Sequence, residues 1–259
     1  MTMDAFQTIS IIFSPYHVGL RDRRIGNGPH RIRSTGLVQE IQNLGVSVEF
    51  VEIEPVDDYE GEIGRSFEVM RRISKAISNS VTKDLAFIYF DAYDDLDSPD
   101  VNENGYLDAM GLSMLRGESW KTLMRSVPGF ELFDLSRFLY CGLQDQPSIQ
   151  RQRVIDAGMH SIWGGTERKV DFATELKTQL EQRPYSPALV NDFPSPGGLL
   201  ESDLVSCMEL VPKMTTQKSL TVCSFDLDAG DGDKIARIAI RAITIFVKSL
   251  LSEGALLKV

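Results

Sequence analysis

Two apolar runs in this chain end in dense carboxylates, and that placement could do chemistry. Leu85–Phe90 leads into Asp91-Ala92-Tyr93-Asp94-Asp95-Leu96-Asp97-Ser98-Pro99. Leu220–Phe225 leads into Asp226-Leu227-Asp228-Ala229-Gly230-Asp231-Gly232-Asp233. Carboxylates this close repel one another unless they are hydrated, protonated or bridged by a cation. If each run is a strand of a parallel sheet, its carboxyl end is where such sheets bind ligands. The alternative is a hydrated acidic rim on a protein that is acidic throughout. Both readings stand for the first cluster, and a solvated turn is preferred for the second.

Other acid-based chemistries fit poorly. Asp100-Val101-Asn102-Glu103-Asn104-Gly105 copies the first half of a calcium-binding EF-hand loop. The closing bidentate carboxylate would then fall on Gly111. A loop starting at Asp226 would close on Arg237, so both lack a needed oxygen ligand. Asp226-Leu227-Asp228 also begins like an aspartyl phosphatase nucleophile, but Ala229-Gly230 follow where Thr or Val and an apolar residue belong. His17, His30 and His160 are the only histidines, and none pairs with another at metal-ligand spacing. No Gly-x-Ser-x-Gly nucleophile elbow occurs. The histidines read as structural or exposed. Cys141 and Cys223 sit in apolar strand patterns and read as inert core thiols.

The elements that must position these groups alternate between short apolar runs and amphipathic stretches. Strands are predicted at Thr8–Phe13, Val46–Ile53, Leu85–Phe90, Phe138–Cys141 and Leu220–Phe225, each bounded by Gly, Pro or charge. Helices are predicted over Pro29–Leu44, Gly64–Ser80, Ser148–Ala157, Glu201–Leu210 and Asp233–Leu251. Gly45 and Gly158 follow two of them as C-caps. This alternation predicts an α/β fold of three layers, α/β/α, with a mostly parallel sheet. The Pro-rich stretch from Pro184 to Pro196 reads as a loop within one domain spanning residues 1–259.

Composition narrows the function classes. The chain of 259 residues holds 27 Lys and Arg against 37 Asp and Glu, a formal net charge of −10. That charge disfavours nucleic acid and anionic lipid as partners. No apolar run reaches membrane-spanning length, and the start lacks a basic segment followed by a long apolar one. Cys141, Cys207 and Cys223 are odd in number and widely spaced, which suits free thiols in a reducing compartment. A cytoplasmic location is expected.

Several segments, in order, resemble the arginase (ureohydrolase) superfamily. Tyr16-His17-Val18-Gly19 with Arg24-Ile25-Gly26-Asn27-Gly28-Pro29 is similar to the family's opening. Asp91-Ala92-Tyr93-Asp94-Asp95 with Pro99 resembles its Asp-Ala-His-x-Asp metal motif. Gly105-Tyr106-Leu107-Asp108-Ala109-Met110-Gly111-Leu112 with Leu115-Arg116-Gly117 resembles the Gly-x-x-His-Gly-Met stretch. Tyr140-Cys141-Gly142-Leu143-Gln144-Asp145 resembles the Gly-x-Arg strand. Pro194-Ser195-Pro196-Gly197-Gly198-Leu199 resembles the Pro-Gly-Gly-Leu turn, and Ser224-Phe225-Asp226 resembles the last strand.

The resemblance implies an arginase-like domain whose relatives hold two manganese ions on carboxylates and histidines. There a bridging hydroxide attacks a guanidinium carbon. Asp91 and Asp95 stand where two ligands are expected, but Tyr93 replaces the histidine between them. The Gly-Gly-Asp-His-Ser motif is absent, and Ser78–Asp84 runs into the Leu85 strand as though a strand and helix were missing. The Ser-Phe-Asp-x-Asp motif is expected near Glu175–Gln179, with Lys177 and Gln179 at its aspartate positions. Lysine there adds positive charge where dications need anions, so no metal cofactor is expected.

Two kinds of function remain. One is an arginase-fold enzyme of altered, metal-independent chemistry at a C–N centre of a small nitrogen compound. In it Asp91, Tyr93, Asp95 and Asp226 are the catalytic candidates. Asp94, Asp108 and Lys177 contact substrate, and Lys177 pairs with Asp91 or Asp95 as counter-charge. The other is a non-catalytic relative that binds a ligand or an active partner subunit. An ordinary manganese ureohydrolase is the third alternative. A small-molecule substrate and self-association into a homo-oligomer are expected in the first case.

Overall fold

The computed structural model describes residues 5–56, 61–77, 87–90, 93–102, 105–144, 146–182, 199–215, 219–222 and 231–259. Strand β1 (Thr8–Phe13) pairs in parallel with β4 (Ser47–Glu52), Thr8 opposite Ser47 and Phe13 opposite Glu52. Between them β2 (Tyr16–His17) and β3 (Leu20–Arg21) form a small antiparallel hairpin. Val18 and Gly19 turn that hairpin with φ of 41° and 75°. Two successive positive φ values match the twist of the flanking strands. Helices α1 (Gly28–Ser34) and α2 (Leu37–Gln42) follow. The sequence predicted one helix over Pro29–Leu44. Gly36, at φ 110°, breaks it in two, because that backbone conformation suits glycine and no helix interior.

Helix α3 (Gly61–Ile77) precedes β5 (Phe87–Phe90). Short helices α4 (Gly111–Leu115) and α5 (Lys121–Met124) come before β6 (Phe138–Leu143). Then α6 (Ser148–Asp156), β7 (His160–Trp163) and α7 (Phe172–Gln182) alternate. Helices α8 (Glu201–Met214) and α9 (Gly232–Ser252) complete the described chain. Strands β5, β6 and β7 form a parallel sheet in that order, with β6 central.

Every residue of β6 is buried, which is why it reads as a continuous apolar run. Its side chains alternate between two cores. Leu139 and Cys141 join Leu176 of α7, Met208 of α8 and Phe246 of α9. Phe138 and Tyr140 join Leu96, Leu112, Leu135 and Val154 of α6 on the other face. At Gly142, φ 107°, the ladder shifts register. That bulge turns Leu143 onto the same face as Tyr140. Ile9 and Ile11 of β1 and Val48 of β4 pack against the first core. One core therefore links both parallel sheet segments, and the layers are helices, sheet and helices.

The structure corrects several expected elements. Residues 219–222 carry no strand, and 223–230, with Cys223, lie outside the described residues. The stretch 78–86, where a strand and helix looked to be missing, also lies outside them, as does the whole Pro184–Pro196 loop. Helix α8 continues through Pro212 to Met214, past the predicted end at Leu210. Cys141 and Cys207 are buried free thiols. No helix among the described residues is long and apolar enough to cross a membrane.

Gly19 fixes the hairpin against α3. A Cβ built there would lie 2.5 Å from Arg65 Cβ and 2.8 Å from the Ser66 backbone nitrogen, whereas Gly36 has open space around it. Gly19→Ala therefore combines overlap with left-handed strain and should cost roughly 3 kcal/mol. Gly36→Ala meets strain alone and should cost about 1 kcal/mol. Urea denaturation of both variants checks the order; equal losses would contradict the close packing.

Candidate functional site

Because β5, β6 and β7 are parallel, their carboxyl ends share one edge of the sheet. The chain after β5 carries Tyr93–Asp97 there, and the chain after β6 carries Gln144 and Gln146. Asp91 and Asp226 lie outside the described residues.

Asp94 is the buried member of the acidic motif, 5% exposed. Its Oδ1 accepts the Leu96 amide at 3.2 Å. Gln146, its amide oriented as its partners require, donates to Asp94 Oδ2 at 3.2 Å and accepts the Asp94 amide at 3.3 Å. The Tyr140 hydroxyl donates to the Asp94 backbone carbonyl. A carboxyl held on both oxygens is a structural anchor rather than a free base. Burial pushes it above the usual aspartate range, and Asp97 adds to the rise; the Leu96 amide and Arg153 oppose it.

The rest of the loop is tied to the segment that follows. The Asp97 amide donates to the Ala109 carbonyl at 3.0 Å, and the Leu112 amide donates to the Asp95 carbonyl at 2.9 Å. Asp97 also accepts from Asn102 at 2.7 Å and from Gln150. Asp95 is half-buried with φ at 49°, a left-handed backbone rare outside glycine. Tyr93 is exposed. Tyr93 and Asp95 thus flank an immobilised Asp94 at the sheet edge.

Asp108 lies in a tight turn, Leu107–Met110, whose ends Leu107 and Met110 are buried. The residue as a whole is exposed, yet burial of its carboxyl pushes the pKa above the usual aspartate range. His17 and a hydrogen bond from the Tyr106 side chain pull it back down. His17 is buried, and its ring centroid lies 6.5 Å from that of Tyr106. The hairpin therefore brings an imidazole to the turn that resembles the family's histidine stretch. Sequence reasoning passed over His17 and Tyr106. The only signal was their place in the two resembled motifs, since nothing in the spacing of residues 17 and 108 pairs them.

Lys177 requires a correction. The Glu175–Gln179 segment lies within α7 and carries no strand-borne metal motif. Lys177 sits on the exposed face of α7, its Nζ 3.9 Å from Glu181 one turn on. That contact is a surface ion pair one helical turn apart, and Asp91, one of its expected partners, lies outside the described residues. The stretch linking α7 to α8 spans 183–200, of which 183–198 lie outside the described residues. His30 forms an exposed contact with Asp22 at 2.8 Å.

The described donors do not make up a two-manganese set. Such a pair needs imidazoles and unoccupied anionic oxygens. Tyr93 offers a phenol, and Asp94 has both oxygens engaged. Among the described residues, no three or more His, Cys, Asp and Glu side chains gather to hold a metal.

The raised Asp94 pKa has a stability consequence. The folded state holds this proton more tightly than the unfolded state, so the contribution is full below the unfolded pKa, about 4. It is lost as pH rises through the folded value. Asp94→Asn removes that titration. Between pH 4 and 7 the stability of wild type should fall relative to the variant in urea denaturation; parallel profiles would refute the assignment.

Comparison with known proteins places this geometry. No family model matches the chain. Non-hepatic arginase 1 of Xenopus laevis is 24% identical over 177 residues, 53% of this chain and 49% of that protein. The chain thus spans about half the length of the curated relatives it matches. The arginase of Bacillus caldovelox superposes with a TM-score of 0.76 at 16% identity, covering 93% of this chain and 98% of that one. The formimidoylglutamase of Bacillus subtilis gives a TM-score of 0.63 at 12% identity, over 97% and 90% of the two chains. This chain has the arginase (ureohydrolase) superfamily fold.

Proposed function

We propose that this chain is an arginase-fold enzyme acting at a C–N centre of a small amino, guanidino or imine compound, without manganese. The observation that carries the reading is the identity of the residues at the resembled imidazole positions. Tyr93 stands at one of them, and the Gly-Gly-Asp-His-Ser motif that would carry the other is absent, so the neutral nitrogen donors of a dimanganese site are lacking. The strand-end carboxylates attract a cationic nitrogen group electrostatically. Asp91, Asp95, Asp226 and Tyr93 are the proposed proton-transfer groups, and Asp108 the proposed substrate contact. Asp94 holds the loop, and Lys177 drops out. A phenol such as Tyr93 ordinarily keeps its proton to pH ~10, so it serves as acid and a carboxylate serves as base.

The reading treats residues 1–259 as one domain, supported by the core that links both sheet segments. It places the protein in the cytoplasm as a self-associating enzyme. Sedimentation at micromolar concentration should show a species larger than 29.0 kDa; a monomer alone would remove self-association from the proposal.

The central test is metal content by mass spectrometry alongside turnover of guanidino, amidino and imine compounds. The expected result is manganese well below one per chain and turnover that survives chelator. Asp91→Asn should abolish that turnover. Stoichiometric manganese, or activity lost to chelator and restored by manganese, would make the chain an ordinary ureohydrolase. No turnover with any compound would favour the non-catalytic alternative.

A further inference from the structure

Strand β4 has an outer side that no described strand uses. Among the described residues it pairs with β1 alone. The Ile53 amide donates to the Phe13 carbonyl at 2.9 Å. Alternate residues of a strand turn their backbone groups to opposite sides, so Ser47, Glu49 and Val51 also turn theirs toward β1. Val48, Phe50 and Glu52 turn theirs outward. The side chains at this edge are open and apolar. Phe50 is 53% exposed and Val51 45% exposed. As neighbours in a strand they lie on opposite faces, so β4 is uncovered on both faces at this point. Val48, on the same face as Phe50, packs against the first core. Arg33 of α1 lies 4.5 Å over the Phe50 ring and 3.5 Å from Glu52, which Arg21 also holds. An edge with two exposed apolar side chains and neither Lys nor Pro is a template for another strand.

We propose that β4 pairs antiparallel with β4 of a second copy of this chain, about a two-fold axis at Phe50, so that two sheets join into one. The inference rests on the self-association in the reading above and on none of its chemistry. The strand's own symmetry selects a second copy as the occupant. Only outward-turned residues bond across the edge, so few registers exist. Centred on Phe50, that residue meets the partner's Phe50, Val48 meets the partner's Glu52, and Glu49 meets the partner's Val51. All three outward residues are then hydrogen-bonded, and no two carboxylates face each other. A slip toward the start of the strand sets Glu49 against the partner's Glu49. A slip toward its end sets Phe50 against the partner's Glu52 and leaves Val48 beyond the partner's strand. Like charges directly opposite are unfavourable, and paired aromatics are favourable. Glu52 brings its own counter-charges in Arg21 and Arg33, so it can face Val48 without being left unpaired.

The test is sedimentation velocity of the full chain at micromolar concentration, with the fold of each variant checked by circular dichroism. Wild type should form a dimer or a larger even-numbered assembly. Phe50→Lys should raise the dissociation constant about tenfold or more. Val51→Glu sets a second carboxylate against the partner's Glu49 and should weaken the dimer by a similar factor. Val51→Lys sets a cation there and should stay within about threefold of wild type. Residues that exchange both hydrogen bonds across an antiparallel pair have Cα atoms about 5.5 Å apart, within disulfide reach. Phe50→Cys should therefore give a covalent dimer on oxidation, and Val51→Cys should not. A wild-type monomer would overturn this inference together with the self-association proposed above. A trimer, or an oligomer that Phe50→Lys leaves intact, would overturn this inference alone. So would equal effects of Val51→Glu and Val51→Lys, or equal crosslinking at residues 50 and 51. If Phe50→Lys does not fold, the Val51 variants and Phe50→Cys still decide it.

Discussion

The structure depends on a strand with no solvent-facing side. β6 is buried from Phe138 to Leu143, so each of its side chains must find an apolar partner in one of two cores. That demand places α7, α8 and α9 on one face and α6 with Leu112 of α4 on the other. Tyr140 meets the demand with a polar end. Its ring fills the second core and its hydroxyl reaches the Asp94 carbonyl. The burial of a strand and the placement of the acidic loop are therefore one constraint.

The cost of that arrangement falls on Asp94. A buried carboxylate is tolerated only when its oxygens are matched by donors. The Leu96 amide and Gln146 supply them. What looked in sequence like a uniform acidic run is thus divided by environment. One member is locked inside, one sits half-buried on a left-handed backbone, and Tyr93 faces solvent. Like charges at neighbouring positions coexist because their surroundings differ.

Much of the fold was legible because hydrophobic periodicity reports burial. Thr8–Phe13 matched its strand, and β4, β6, α6 and α9 fell within a few residues of expectation. The failures share a cause. β7, His-Ser-Ile-Trp, is short and mixed, and only its ladder to β6 makes it a strand. The two-residue strands of the hairpin carry no periodicity at all. At the site, the sequence indicated which edge would be acidic. It could not show that Asp94 turns inward, that Lys177 faces out from a helix, or that the His17 ring lies near that of Tyr106. Those depend on contacts between segments far apart in the chain.

The loop after β5 is tethered at the Asp94 carbonyl, the Leu96 amide, the Asp97 amide and the Asp95 carbonyl. Such a segment has little slack to adjust around a guest. A molecule docking there forgoes the entropic penalty of freezing a loose wall. The same stiffness gives the wall no means of reshaping itself for a misfit. Recognition at this edge works by selection among shapes, and changes of substrate preference would have to come through altered side chains rather than altered loop conformation.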